Sequence, residues 1–239
     1  METTKQQLSI EEVMNVFYAR DFAYDILRRF FVEEPSEEYL KPFVYQNMID
    51  LFPFKEDRSE IQEGIDDIKA YLAEFDPVHK RTDFEDLHWD YTKMFIGPGE
   101  ITAFPWESVY VSKDKLLFQE TTLEVRKIYE KYAFQTADYI EADDHIGLEL
   151  DFMYRLNQLC IQSGESITPN SLSEIRYLLN EQQTFLKNHL SRFVPQFSES
   201  VVNNADTKFY VGLAKILQHF IALDSIVLNE LLNIDFIQK

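Results

Sequence analysis

Apolar residues recur at helical spacing along most of the chain. Two segments show the pattern most clearly, one after Ser9 and one after about Asp206. Their apolar positions fall on one face of a helix. They are Ile10, Val13, Met14, Phe17, Tyr24, Leu27 and Phe31 in the first segment, and Phe209, Leu213, Ile216, Phe220, Leu223 and Val227 in the second. No segment alternates convincingly at period 2, as a half-buried strand would. The pattern predicts an all-α fold, a compact bundle of about eight or more helices.

Helix starts are indicated by four sequences of the form Ser/Thr-x-x-Glu/Gln. In a capping box, the hydroxyl and the acid or amide bond to backbone N–H groups that the helix leaves unpaired. The motifs begin at Ser9, Ser59, Thr82 and Ser171. We therefore expect a helix to begin at each of these positions.

Two segments interrupt the helical pattern. Residues 96–112 contain two Gly and two Pro together with several aromatic residues, and loops of this length inside a domain usually have a function. We expect a long aromatic loop near 96–112 and a hinge near 135–144. The chain is predicted to be a single all-helical domain, 1–239, divisible into an N-terminal lobe, 1–138, and a C-terminal lobe, 139–239.

The charge of the chain narrows the range of partners. The 42 acidic and 23 basic residues give a formal net charge of −19. A field of this sign repels phosphate backbones and anionic lipids but attracts basic ligands, although it can also serve solubility alone. We expect no nucleic-acid partner and no stable membrane insertion, because no uninterrupted run approaches the 18 apolar residues that a span needs. Without a signal-peptide pattern at the N-terminus, the prediction is a cytoplasmic protein.

The motifs of common enzyme classes are missing from the sequence. It contains no phosphate-binding Gly-x-x-x-x-Gly-Lys loop, no Gly-x-Ser-x-Gly and no His-x-x-x-His. The single cysteine, Cys160, shares the apolar face of a predicted helix, so we expect it to be a buried hydrophobic residue. The sequence favours a protein that is not an enzyme, with no cofactor and no metal.

An acidic segment at residues 141–149 is the first candidate site. Asp143 or Asp144 is placed to cap the following helix, and His145 and Glu149 are four residues apart on one helix face. Three interpretations stay open: a helix cap with a neighbouring side-chain pair, two ligands of a metal, or an acidic surface for a cationic partner. A metal-dependent helical enzyme centred on His145 and Glu149 is one alternative, and a general helical adaptor is another.

A concentration of aromatic residues near the predicted loop is the second candidate. Both tryptophans of the chain, Trp89 and Trp106, lie here with four other rings within 22 residues. Tyrosine and tryptophan suit peptide-binding surfaces because they offer large contact areas at a small entropic cost. The alternative is that the rings fix the loop to the core.

Both segments resemble the TorD/DmsD family of redox-enzyme maturation chaperones. Residues 87–110 are similar to the family's aromatic helix end, Phe-x-Gly-Pro and Pro-aromatic-x-Ser-Val-Tyr. Residues 141–153 are similar to its Glu-Pro-Asp-Asp-His and Glu-Leu-x-Phe-Met, with Ala142 where the family usually has Pro. The two motifs occur about 30 residues apart in the expected order.

The resemblance implies a cytoplasmic chaperone for a molybdopterin-dependent oxidoreductase, either a monomer or a homodimer. Such a protein binds the twin-arginine leader and the catalytic subunit and holds them until the cofactor is inserted, before export. The leader is basic and then apolar, so an acidic patch beside an aromatic surface fits it. The peptide-binding residues implied are Trp89, Asp90, Tyr91, Phe95, Trp106, Glu107, Ser108, Tyr110, Glu141, Asp143, Asp144 and His145, the last orienting the patch by hydrogen bonding.

Overall fold

Helices make up most of the protein, as the apolar pattern predicts. The computed structural model describes residues 7–113, 116–135, 141–166 and 168–237. Its α-helices in chain order are α1 (Ile10–Val32), α2 (Glu37–Tyr45), α3 (Ser59–Glu74), α4 (Arg81–Phe95), α5 (Glu107–Val111), α6 (Glu120–Lys131), α7 (Ile146–Glu165), α8 (Ser171–Asn188), α9 (Leu190–Asn204) and α10 (Lys208–Asn233). A 3-10 turn covers Met48–Leu51, and two short strands, β1 (Gln7–Ser9) and β2 (Asp235–Ile237), pair in parallel. The all-α class is confirmed.

One of the four predicted capping boxes is present. The Ser9 hydroxyl accepts a hydrogen bond from Glu12 N, and the Glu12 carboxylate accepts one from Ser9 N. The other three predictions are wrong, because those helices begin at or before the predicted cap, so the hydroxyl residue is already helical. The residues that precede them are Arg58, Lys80 and Asn170, and none forms a side-chain cap bond.

Two close helix contacts join the halves of the chain. Gly64 on α3 faces Gly212 on α10, and a Cβ at Gly64 would lie 2.6 Å from the Gly212 carbonyl oxygen. Gly147 on α7 faces α1, where a Cβ would lie 2.3 Å from Cα of Val32. The absence of a side chain therefore lets both helix pairs approach closely. The division into lobes at 138 and 139 stays a prediction.

The final helix, α10, is long and apolar enough to cross a membrane by composition, with a mean hydropathy of 1.6 over 18 residues. Half of that window is buried inside the protein. Among its residues, Leu213, Ile216 and Phe220 are completely buried in the core. A core helix meets the same compositional criterion, and these contacts account for the apolar character of α10.

The predicted aromatic loop is shorter than expected. Residues 96–106 have no helix, but α5 begins at Glu107 inside the predicted segment. Half of the predicted hinge at 135–144, residues 136–140, lies outside the described residues. Cys160 is fully buried as predicted, and the Gln182 amide nitrogen lies 3.3 Å from its Sγ atom.

Candidate functional site

The aromatic and acidic motifs meet in the folded protein. Trp106 and His145 form an antiparallel bridge, in which Ile146 N donates to the Pro105 carbonyl at 2.7 Å. Glu107 N donates to the Asp144 carbonyl at 2.9 Å. We call residues 105–108 and 142–146 the motif junction. It joins the start of α5 to the start of α7, although the two segments are about 35 residues apart in the chain.

Helix capping at the motif junction differs from the prediction. Neither Asp143 nor Asp144 caps α7; the cap is His145, whose Nδ1 accepts a hydrogen bond from Gly147 N at 3.1 Å. The Asp144 carboxylate instead accepts from Ser108 N at 2.8 Å, so it binds the start of α5. Asp144 bonds to α5 because the bridge brings the first turn of that helix within its reach.

His145 is neutral in this environment. Its side chain is almost fully buried, and this burial lowers its pKa to about 3. A neutral imidazole can use Nδ1 as an acceptor, as the cap on α7 requires. His145 therefore orients the junction by a hydrogen bond to backbone and carries no positive charge at neutral pH.

Buried ionisable groups converge behind the junction. The Glu107 carboxylate is within hydrogen-bond distance of His189 Nδ1 at 2.9 Å, and Arg192 lies 3.5 Å from its other oxygen. Glu149 is fully buried beside them, and burial, followed by the charge of Glu107, raises its pKa well above the usual range. One donor atom each of Glu107, Glu149 and His189 lies within 4.8 Å of the others. Glu149 thus lies with Glu107 and His189, whereas a side-chain pair with His145 was one of the three interpretations that the sequence left open.

The exposed part of the motif junction is small. The Glu141 side chain beside it faces solvent, and Trp106 is partly buried with its ring 6.1 Å from that of His145. Asp143 forms an ion pair with Arg126 at 2.7 Å, and the Arg126 side chain is half exposed. Tyr110 packs against Phe193 with 5.9 Å between the ring centroids. An incoming cation can approach Glu141 directly and Asp143 by displacing Arg126.

A groove away from the junction holds two other predicted residues. Trp89 is 58% exposed and Asp90 is buried, and both border a cavity of about 580 Å³. The described residues lining it come from the end of α3, from α4 and from the start of α10. Asp90 accepts hydrogen bonds from Asp206 N, Thr207 N and the Thr207 hydroxyl, and burial raises its pKa. We call this the Trp89 groove.

Two predicted aromatic residues belong to the core. Tyr91 and Phe95 are at most 4% exposed, and their ring centroids are 4.8 Å apart. Phe95 also contacts Phe197 and Tyr210 from α9 and α10. These rings hold α4 in place and are too buried to contact a peptide.

His189, Arg192 and Phe75 are the residues near these sites that sequence reasoning did not identify. Phe75 lines the Trp89 groove, and His189 lies between α8 and α9. No spacing in the sequence connects His189 to Glu107, which is 82 residues away. The connection arises only when α9 packs against α5.

Comparison with known proteins finds one matching family profile and several relatives that share one name. The sequence profile described as nitrate reductase delta subunit matches residues 55–199, which is more than half of the chain and includes both motifs. The chaperone protein TorD of Aliivibrio salmonicida is 27% identical over 200 residues, or 83% of this chain and 89% of that protein. TorD of Aliivibrio fischeri is 28% identical over 72% of this chain and 78% of its own length.

A more distant relative matches nearly as much of the chain. TorD of Vibrio parahaemolyticus is 24% identical over 82% of this chain and 87% of its own length. These relatives are named as chaperones, which are not enzymes. The profile match, the relatives and the paired motifs agree, and the chain belongs to the TorD/DmsD family of redox-enzyme maturation chaperones.

Proposed function

We propose that this protein is a cytoplasmic chaperone for a molybdopterin-dependent oxidoreductase. In this proposal it binds the twin-arginine leader, the apo catalytic subunit or both, and holds the client until its cofactor is inserted and export can begin. Family membership supports maturation of such an enzyme as the general role. The observation that carries the binding proposal is the meeting of the two family motifs at one junction.

Charge and exposure indicate how the leader would bind. The net charge of −19 attracts a basic segment, and Glu141 and Asp143 place two carboxyl groups near the surface beside Trp106. A guanidinium group fits such carboxylates because its planar fork can donate two hydrogen bonds. We assign direct contact with the arginines to exposed Glu141, and to buried Asp143 once the incoming guanidinium has displaced Arg126. Glu107, Ser108, Asp144 and His145 position the motif junction from within.

The Trp89 groove suits the apolar part of the leader. Trp89 and Phe75 expose aromatic surface at its edge. An exposed tryptophan beside a cavity is a common contact for an apolar side chain, since burying it removes a large area from water. Asp90 would act by holding the start of α10, which forms one wall of this groove.

The experiment is a calorimetric titration of the full chain with twin-arginine leader peptides from several molybdoenzymes. We expect micromolar or tighter binding that weakens as salt is added, because exposed charges are screened. A peptide with both arginines replaced by lysine should bind less tightly, because it lacks the planar fork.

Two pairs of variants separate the surfaces. We expect Glu141→Gln to weaken binding by about 3- to 10-fold through a lost charge contact, with exposed Glu63→Gln as its control. Trp89→Ala should cost about 10-fold or more, with exposed Tyr45→Ala as its control. If no leader binds, or if the controls weaken binding as much as the test variants, the proposed function is wrong.

A further inference from the structure

We propose that Glu107, Glu149 and His189 form a binding site for one divalent transition-metal ion of the zinc type. We call these three residues the Glu-Glu-His cluster. They come from α5, from α7 and from the connection between α8 and α9. An ion there would join three elements behind the motif junction.

The donor atoms already lie close to one another. One carboxylate oxygen from each glutamate and one ring nitrogen of His189 are mutually within 4.8 Å. Ligands of zinc at about 2.0–2.2 Å from the ion are roughly 3–3.5 Å apart in a tetrahedral arrangement. Small side-chain rotations would therefore bring the three donors into coordination. The 2.9 Å distance between His189 Nδ1 and Glu107 Oε2 is slightly shorter than that between neighbouring ligands.

The Glu149 side chain gives an independent indication of a ligand. It is completely buried, and in its ionised form neither of its carboxylate oxygens has a hydrogen-bond donor among the residues that the structure describes. Buried polar atoms are nearly always paired, and an exception requires an explanation such as a bound ion or water. Glu107 is adjacent and can share a proton with Glu149, but its like charge cannot stabilise an ionised Glu149.

The charges in the cluster match a divalent cation. Glu107 has His189 and Arg192 as partners, whereas the described residues supply Glu149 with no hydrogen-bonding cation. Two carboxylates and a neutral imidazole around an ion of charge +2 form a neutral group, which lowers the cost of burial. A mixed set of imidazole and carboxylate ligands suits zinc, whereas Mg²⁺ and Ca²⁺ prefer oxygen ligands throughout.

A cavity borders the cluster at His189. Its volume is about 560 Å³, and His189 is one of its six lining residues, together with Arg192 and Lys127. Three protein ligands leave a fourth coordination position of zinc, which a water molecule or a client group entering by this cavity could occupy. Binding of the ion replaces protons on the ligands, so affinity should fall as the pH is lowered.

The test uses full-length protein purified without a polyhistidine tag. After treatment with a chelator, it is titrated with Zn²⁺ and its metal content is measured by mass spectrometry. We expect one zinc per chain, a thermal midpoint raised by the ion, and visible absorption of tetrahedral Co²⁺ when cobalt is added instead. The Glu149→Gln and His189→Gln variants should each weaken zinc binding by about 100-fold or more.

Matched controls distinguish the cluster from other side chains. His79→Gln and Glu63→Gln replace exposed residues of the same types and should leave zinc binding unchanged. Glu149→Gln keeps the volume of the side chain, and its helical content is checked by circular dichroism.

Less than about 0.1 zinc per wild-type chain, or equal binding by Glu149→Gln, would overturn the proposal. If the wild-type protein binds no zinc, its infrared spectrum is recorded. A band of a protonated carboxyl that is lost in Glu149→Gln would then show that the cluster holds a shared proton instead of an ion. The readout is metal content, so the result does not depend on whether leader peptides bind.

Discussion

Two buried polar clusters in this protein are built in opposite ways. In the first, Arg20 on α1 donates to both oxygens of Asp224 on α10 and to Asn157 on α7. The Tyr24 hydroxyl also donates to Asp224, at 2.7 Å, and the Asn157 amide donates to the Phe17 carbonyl. One cation is matched by one carboxylate, and the bonds join three long helices. We call these residues the Arg20 cluster.

The Glu-Glu-His cluster has a surplus of acid. Glu107, Glu149 and nearby Asp144 are all completely buried, against one histidine and one half-exposed arginine. Within the described part of the chain, an ionised Glu149 and one oxygen of Asp144 have no hydrogen-bond donor. A cluster whose buried charges are matched is stable without a ligand. A cluster with excess carboxylates must bind protons or a cation to become neutral. The difference in charge indicates that the Arg20 cluster is structural, whereas the Glu-Glu-His cluster is suited to binding a cation.

The largest predicted effect concerns the Arg20 cluster. Arg20→Met should lower the free energy of unfolding by about 3–5 kcal/mol, because it leaves the Asp224 carboxylate buried without its cation. Urea denaturation measures the change. Lys41→Met removes the exposed ion pair with Glu37 and should cost less than about 1 kcal/mol. Equal losses in the two variants would show that the Arg20 cluster is not a structural requirement.

The pH dependence of stability should report on the motif junction. The pKa of His145 is lowered by burial to about 3, below its ordinary value, so folding favours the neutral ring. The associated stability is complete above about pH 6.5 and is lost as the pH falls toward 3. Between pH 6.5 and pH 5 the His145 contribution should fall by about 2 kcal/mol, at about 1.4 kcal/mol for each unit. The raised pKa of Glu149 acts in the opposite direction over this range, so the comparison with a His145 variant isolates the loss.

Urea denaturation at several pH values provides the measurement. His145→Asn keeps a possible helix cap and should remove most of this loss, whereas exposed His79→Gln should retain it. The Arg20 cluster should contribute little in this range, since an arginine stays protonated. If His145→Asn has the same pH dependence as the wild type, the assignment to His145 is incorrect.

The smallest predicted effect has the opposite sign. In metal-free protein, Glu149→Gln should leave stability unchanged or raise it by about 1 kcal/mol, because it removes an unpaired buried carboxylate. Asp224→Asn, the same kind of change in the Arg20 cluster, should instead destabilise the protein by about 2–4 kcal/mol. Chemical denaturation of the two variants side by side tests the comparison. A similar loss in both would show that Glu149 is a satisfied structural acid.

The helical class, most helix positions and the burial of Cys160 could be predicted from local sequence. Periodic apolar residues define a helix face wherever that face packs, so α1 and α10 were evident before their partners were known. Both family motifs were also readable, because each is a continuous segment. Helix starts were less accurate: the caps at Ser36 and Thr207 were missed, since a single hydroxyl residue is a weak signal without the rest of the box.

Tertiary structure decided how the residues of the motifs are used. Spacing places Asp144 before α7. Its carboxylate accepts a hydrogen bond from Ser108 N of α5 only because Trp106 and His145 form a bridge. Tyr91 and Trp89 are two residues apart, yet one is in the core and the other faces solvent. The Glu-Glu-His cluster joins positions 107, 149 and 189, which no local pattern relates. Local sequence determines which face of an element is apolar, whereas contacts between distant elements determine which polar groups are buried together, and with them the charge of the site.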